Sequence, residues 1–355
     1  MLSRTADNLY WMARHMERAE NIARLLNAQH QASMLLQPKL SSYRQWQAVI
    51  DLFELEMQFI SSKKSSFQID VLNFMVLEET NESSIFSCLK RARENALTIR
   101  GGLPTELWEV INSIWLEFPN IFKSNRWLKD LENSLEWVKQ YSHTFRGVLE
   151  GTMPRNEFLY FTKLGMFLER ADNTARILDI NFLLNYSSSK KNGSSNKENL
   201  NLFKEYNDRH DLLNKDNVRN DYYFWVSVLR SLSAGEIYSM VYRDEMIPKR
   251  IAELLIYRED MPRSLIVCVQ NIQKNLTRVS KIEQKNSKSI RIVGKLCAEI
   301  KYEVIDDDFV YYIHDFLESF LERINYLGGE ISNEYLVPVA SSENNSESFL
   351  RVIDD

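Results

Sequence analysis

At 355 residues the chain has room for two domains or for one domain of two related halves, and its 44% hydrophobic and 26% charged residues exclude bulk disorder. Ten glycines and seven prolines are too few for a loop-rich or β-rich protein, so helix is the expectation. A net charge of −5, from 44 basic and 49 acidic residues, leaves no basic field for holding a nucleic acid backbone.

Cys88, Cys268 and Cys297 are three cysteines at wide spacing, which suits reduced thiols rather than a disulfide framework. No apolar run approaches the roughly 18 residues of a membrane span, and Arg4 and Asp7 interrupt the place where a signal peptide needs an apolar segment. A cytoplasmic location with no membrane partner is the expectation.

Helix starts are readable in chain order at Ser3 or Thr5 with Asp7 close behind, at Asn81 before Glu82, and after Pro104 at Thr105 and Glu106. Arg100 followed by Gly101 and Gly102 reads as a helix end. Prolines 38, 104, 119, 154, 248, 262 and 338 separate stretches with apolar residues at three- and four-residue spacing, enough for about ten helices or more. The Ser-, Asn- and Lys-rich run over 186–199 reads as a flexible loop, with polar sequence continuing to about Arg219, and 337–355 as a polar, disordered tail. The expected fold is all-α, two related helical-bundle halves over 1–150 and 151–336 packed as one unit.

Those halves rest on an internal match. Met16-Glu17-Arg18-Ala19-Glu20-Asn21-Ile22-Ala23-Arg24-Leu25-Leu26 and Leu168-Glu169-Arg170-Ala171-Asp172-Asn173-Thr174-Ala175-Arg176-Ile177-Leu178 share seven of eleven residues at an offset of 152. On a helical wheel Trp11, Met12, His15, Met16, Ala19, Ile22, Ala23 and Leu26 form an apolar arc, repeated by Leu164, Phe167, Leu168, Ala171, Ala175 and Leu178. Arg14, Glu17, Arg18, Asn21 and Arg24 fall on the opposite side, matched by Glu169, Arg170, Asn173 and Arg176. Water accepts any charged residue, so repetition of residue identity on the polar arc points to a specific contact. Two readings are open. The helices face each other with Glu17 on Arg170 and Glu169 on Arg18, a crossed buried network, or the arginines keep donors free for an anionic ligand such as a carboxylate, a phosphate or a peptide end. Secondary candidates are Arg93, Glu94 and Asn95, near Arg91 and Arg100, faintly echoed by Arg243 with Asp244 and Glu245.

Recognisable catalytic signatures are missing. None of His15, His30, His143, His210 and His314 stands three residues after a glutamate, and there is no Cys-x-x-Cys, phosphate loop or nucleophile elbow. No metal and no cofactor is therefore expected. His15 reads as a satisfied core histidine, His314 as packing, and Cys268 as an inert buried thiol. Arginines beside Glu17 and Glu169 would hold both carboxylates ionised, which disfavours general acid catalysis.

Met1-Leu2-Ser3-Arg4-Thr5-Ala6-Asp7-Asn8-Leu9-Tyr10-Trp11 running into Glu17-Arg18-Ala19-Glu20-Asn21, then Ala92-Arg93-Glu94-Asn95 with Glu106 and Trp108, Leu168-Glu169-Arg170-Ala171-Asp172, Trp225 with Leu229-Arg230-Ser231, and Met261-Pro262-Arg263-Ser264, resemble the bacterial alpha-E domain family from Met1 to about Tyr335. The resemblance implies an all-α domain and adds Arg263 to the secondary candidates. It further implies a genomic setting beside circularly permuted ATP-grasp ligases and transglutaminase-like proteins, and service in a peptide-synthesising or peptide-tagging system. One departure is Met166, where an arginine matching Arg14 is expected. The resulting expectation is an accessory partner of a peptide ligase, binding an anionic peptide, small molecule or partner surface through the Glu/Arg cluster. An enzyme of amide or peptide chemistry and a purely structural scaffold stand as alternatives.

Overall fold

The computed structural model describes residues 2–35, 39–59, 66–122, 124, 126–186, 217–243, 246–284, 287–303 and 309–337. Most of the expected loop at 186–199 and nearly all of the expected tail at 337–355 lie outside these residues. The described chain is all-α, with fourteen α-helices and no strand among the described residues.

Two long helices form the centre, α1 (Ser3–Leu35) and α8 (Glu157–Tyr186), and they are the two that carry the repeated motif. Between them run α2 (Lys39–Leu52), α3 (Phe67–Val76), α4 (Ile85–Thr98), α5 (Thr105–Phe122), α6 (Arg126–Lys129) and α7 (Leu131–Thr152). After α8 come α9 (Asn217–Ser231), α10 (Gly235–Tyr242), α11 (Pro248–Ile256), α12 (Leu265–Glu283), α13 (Lys288–Tyr302) and α14 (Phe309–Ile331), which ends in a π-turn over Ser332–Leu336. The expected division near residue 150 falls inside the last turn of α7, which continues unbroken to Thr152.

α1 and α8 pack directly on each other, because both apolar arcs, apart from the half-buried Trp11 and Phe167, are buried in one shared core. At their crossing Gly165 touches the other backbone, and a Cβ there would collide with the Tyr10 carbonyl oxygen. Around this pair, α4, α7 and α9 lie on α1, while α12 and α14 lie on α8. No helix among the described residues is long and apolar enough to cross a membrane.

Two helix boundaries differ from the sequence expectation. α4 starts at Ile85 with Ser84 as its cap, the Ser84 hydroxyl accepting from Ser87 N at 3.1 Å. Asn81 is buried just before it. Its amide donates to the Phe74 carbonyl at 3.1 Å and its Oδ1 accepts from Ser83 N at 2.9 Å, so its side chain shapes the preceding turn instead of capping the helix. Pro119 does not end a helix either. α5 runs through it to Phe122, although proline there removes one intrahelical donor.

Candidate functional site

The crossed pairs are present. Arg170, from α8, donates through Nε and Nη2 to Glu17 of α1 at 2.8 and 3.0 Å, and Arg18 of α1 donates through Nε and Nη2 to Glu169 of α8 at 2.5 and 3.0 Å. Each is a two-pronged guanidinium–carboxylate pair, the geometry that makes arginine the preferred partner for a buried carboxylate. Helical spacing explains their position, since Glu17 and Glu169 occupy equivalent places on the two repeats and the repeats face one another.

The two ends of the network then diverge. At the Glu17 end, Arg263 reaches in from the turn before α12. It donates to Glu17 Oε1 at 3.1 Å, Asn21 Oδ1 at 2.9 Å and Glu20 Oε1 at 2.7 Å. Arg146 of α7 donates to Glu17 Oε2 at 3.3 Å and also holds Glu20, whose Oε2 accepts from the Ser142 hydroxyl at 2.6 Å. Arg24 closes the group, with Nε on Glu20 Oε1 at 2.7 Å, Nη1 on the Ser233 hydroxyl and Nη2 donating to His143 Nε2 at 2.8 Å. At the Glu169 end Arg14 adds its Nε at 2.9 Å, reaches the Tyr10 hydroxyl at 3.2 Å and lies over the Trp11 ring. Arg176 bonds Asp172 at 2.9 Å and the exposed Glu54 at 2.7 Å.

Charge does not balance at the Glu17 end. Among the described residues, Arg24, Arg146, Arg170 and Arg263 converge on Glu17 and Glu20, four cations on two anions. Burial would raise both carboxyls, but Arg170 and Arg263 hold Glu17 below its ordinary value, and Arg263 and Arg146 hold Glu20 well below. Arg263 itself is pushed down, first by burial and then by its neighbours Arg170 and Arg24, against the pull of the two glutamates. His143 is lowered by burial and the same crowd of guanidiniums, so it stands neutral and accepts from Arg24. At the other end Arg18 and Arg14 outweigh burial and hold Glu169 at about 2. Asp172 is instead raised by burial, which Arg176 only partly offsets.

Behind these pairs α4 and α12 present matching backs. Ser84 and Ser264 cap them in the same way, with φ of −64° and −66°, and each helix buries a cysteine four residues after its cap. Cys88 and Cys268 are both pushed up to about 12 by burial, so neither thiol is a nucleophile at neutral pH. In the residue before the cap the likeness fails: Ser83 stands in one turn and Arg263 in the other.

Other sequence candidates fall elsewhere. Asn21 accepts from Arg263, whereas the buried Asn173 amide nitrogen has no hydrogen-bond partner, nor has that of Asn21. Arg93 donates to Asn112 at 2.8 Å and, with Arg100, lies over the Trp108 ring, a separate contact between α4 and α5. Glu94 is exposed and Asn95 half-buried on the same helix. Arg243 is exposed at the end of α10 with a left-handed φ of 63°, and no contact joins it to the cluster. His15 is buried, but not as a satisfied histidine. Its Nδ1 has no partner and burial, aided by Arg18, lowers it to about 3. His314 is more than packing, since its Nδ1 meets Asp179 Oδ1 at 2.6 Å, which raises it. Sequence reading misses Glu20 and Arg146, and ranks Arg263 too low. Only Glu20 leaves a trace, as the acidic match of Asp172 in the repeat.

A cavity of about 720 Å³ opens beside the Glu17 end, walled by α1, α7, α9 and the start of α10, with Arg24 and Ser233 at its inner edge. Among the described residues no three His, Cys, Asp or Glu side chains come together as a metal site.

Fold and site together define an all-helical protein organised around a buried Glu-Arg centre. A family model described as a predicted alpha-helical domain with a conserved ER motif matches residues 1–336, and the chain belongs to this Alpha-E family. Two Glu-Arg pairs, Glu17-Arg18 and Glu169-Arg170, lie within the matched span. No curated protein and no solved structure matches the chain.

Proposed function

We propose that this protein is a non-catalytic accessory partner of an ATP-grasp peptide-ligase system, and that it receives an anionic peptide end or an acidic partner surface at the Glu17 end of its Glu/Arg centre. The observation that carries the reading is the excess of two cations there. Uncompensated buried charge is costly, and a centre built only to lock two helices would reach neutrality with two arginines rather than four. Arg146 and Arg24 stand on the outer side of that centre, with 23% and 11% of their side chains exposed, where an incoming carboxylate can meet them. The ligase setting comes from the family resemblance. Recognition suits the site better than general acid chemistry, because the arginines hold Glu17 and Glu20 ionised.

The test is association between the purified chain and an ATP-grasp ligase encoded beside it, followed by calorimetry. A dissociation constant of about 10 µM or tighter, weakened at least about tenfold by Arg146→Gln in a protein that still folds, is the expected result. Absence of binding at about 100 µM overturns the partner role.

A further inference from the structure

A separate cavity of about 240 Å³ opens at the Glu169 end, between α1, α8 and α14. Among the described residues Arg14 is the one charged side chain on its wall, and its guanidinium carbon lies 5.0 Å from the centre of the Trp11 ring. Glu169 Oε2 accepts from Arg14 Nε at 2.9 Å and lies 2.8 Å from Nη2, while the Tyr10 hydroxyl accepts from Nη1 at 3.2 Å. A guanidinium carries five N–H donors, so among the described residues each terminal nitrogen keeps one without a partner. That Tyr10 hydroxyl lies 3.8 Å from where a Gly328 Cβ would stand, which brings the guanidinium head, not its stem, up to the α14 wall. Pairing of the long helices does not call for Arg14. Glu169 already takes both prongs of Arg18, and the matching position in the other repeat holds the buried Met166.

The rest of the wall is neutral and open. Asn325 and the half-buried Ser332 stand on it, and neither side chain has a hydrogen bond among the described residues. Gly328 and Gly329 sit inside α14, where glycine is a poor helix former. Packing does not ask for them, because a Cβ at 328 meets Leu168 at 3.6 Å, an ordinary contact, and one at 329 meets nothing within 4 Å. What they leave is space in the cavity that Arg14 lines.

We infer that this cavity binds a small monocarboxylate, its two oxygens on the free donors of Arg14 and its short carbon chain along the glycine wall of α14. Charge fixes the class. A single cation on an otherwise neutral wall matches one negative charge, and a carboxylate accepts from both terminal nitrogens of a guanidinium at once, whereas a phosphate dianion is left half-compensated. Size fixes the scale. At about 240 Å³ the cavity falls below the roughly 300–1,000 Å³ of drug-sized sites, so the carboxylate arrives on a few carbons. Ser332 and Asn325 supply the remaining polar groups of the wall, and Trp11 its aromatic one. This site is distinct from the recognition proposed at the Glu17 end and does not depend on it.

Calorimetry of the full chain with butyrate, butyramide and N-acetyl-trialanine tests it. Butyrate binds, and butyramide, the same shape without the charge, binds at least about tenfold more weakly. N-acetyl-trialanine, which carries the carboxylate on a larger body, also binds less well than butyrate. Arg14→Met copies the other repeat and removes butyrate binding, with a thermal melt to show that the chain still folds. Gly328→Ala is the check that does not depend on Arg14. Its methyl fits at ordinary contact distance beside Leu168 and the Tyr10 hydroxyl, so the melting temperature holds or rises while butyrate binding weakens severalfold. Equal binding of butyrate and butyramide, or no butyrate binding at about 10 mM, overturns the assignment. Butyrate binding that survives Arg14→Met overturns it too, because the anion then sits elsewhere. Tighter binding of N-acetyl-trialanine than of butyrate gives the site to a chain end and overturns the small ligand.

Discussion

Arginines at the centre are not equivalent, and their differences are measurable. Arg170 meets a single carboxylate with both prongs, so Arg170→Met strips Glu17 of its best partner and is expected to cost about 3–5 kcal/mol. Arg263 bonds two glutamates and Asn21, yet its own charge is disfavoured by burial and by Arg170 and Arg24. Arg263→Met removes one surplus cation along with its hydrogen bonds, and is expected to cost clearly less than Arg170→Met in urea denaturation. Equal costs would show that the surplus charge is compensated in solution. The crossed pairs are legible in the sequence because the two copies of the repeated segment each carry a Glu-Arg pair, which a helical wheel puts on the polar side of both helices. Arg146 is not, since α7 lies outside the repeated segment and an arginine between His143 and Gly147 resembles any surface arginine until the fold turns it inward.

Among the helices, contact distance between α1 and α8 decides whether the crossed pairs can form. Gly165 sets that distance, because any Cβ meets the Tyr10 backbone rather than a movable side chain. Gly165→Ala is therefore expected to destabilise by about 1–3 kcal/mol despite the gain in helix propensity, whereas Gly147→Ala on α7, with open space beside it, is neutral or stabilising. Thermal melts of the two variants separate close packing from propensity. The capping serines offer a smaller check. Ser84→Ala and Ser264→Ala each remove an acceptor from a first-turn N–H and should cost about 1 kcal/mol. The likeness between α4 and α12 escapes sequence reading for a physical reason. The shared serine and cysteine recur at 180 residues, not at the 152 of the long helices, because connections tolerate changes of length that packed helices do not. The division at residue 150 rests on the internal match, and across it α7 runs on to Thr152 while α9 packs on α1.

For the whole molecule, acid is the condition that exposes how the centre is built. Glu169 has a folded value of about 2 against an ordinary 4.5, so its stabilising contribution is complete above about pH 4.5 and is lost as pH falls toward 2, about 3 kcal/mol in all. His15 acts at higher pH. Burial beside Arg18 lowers it from 6.5 to about 3, so the unfolded chain binds a proton there that the folded chain refuses, and stability falls as pH drops below about 6.5. His30 and His143 are also lowered and add to the same slope, while His314, raised by Asp179, opposes it. Stability is thus expected to decline between pH 6.5 and 4.5, before Glu17, Glu20 or Glu169 protonates. His15→Leu keeps the apolar arc, removes a buried nitrogen with no partner, and should flatten that decline while raising the melting temperature at pH 5. Melts of wild type and His15→Leu from pH 7.5 to 4.5 decide it. Parallel curves would place the early acid loss with His30 and His143, whereas convergence at pH 7.5 and separation at pH 5 would locate it at His15.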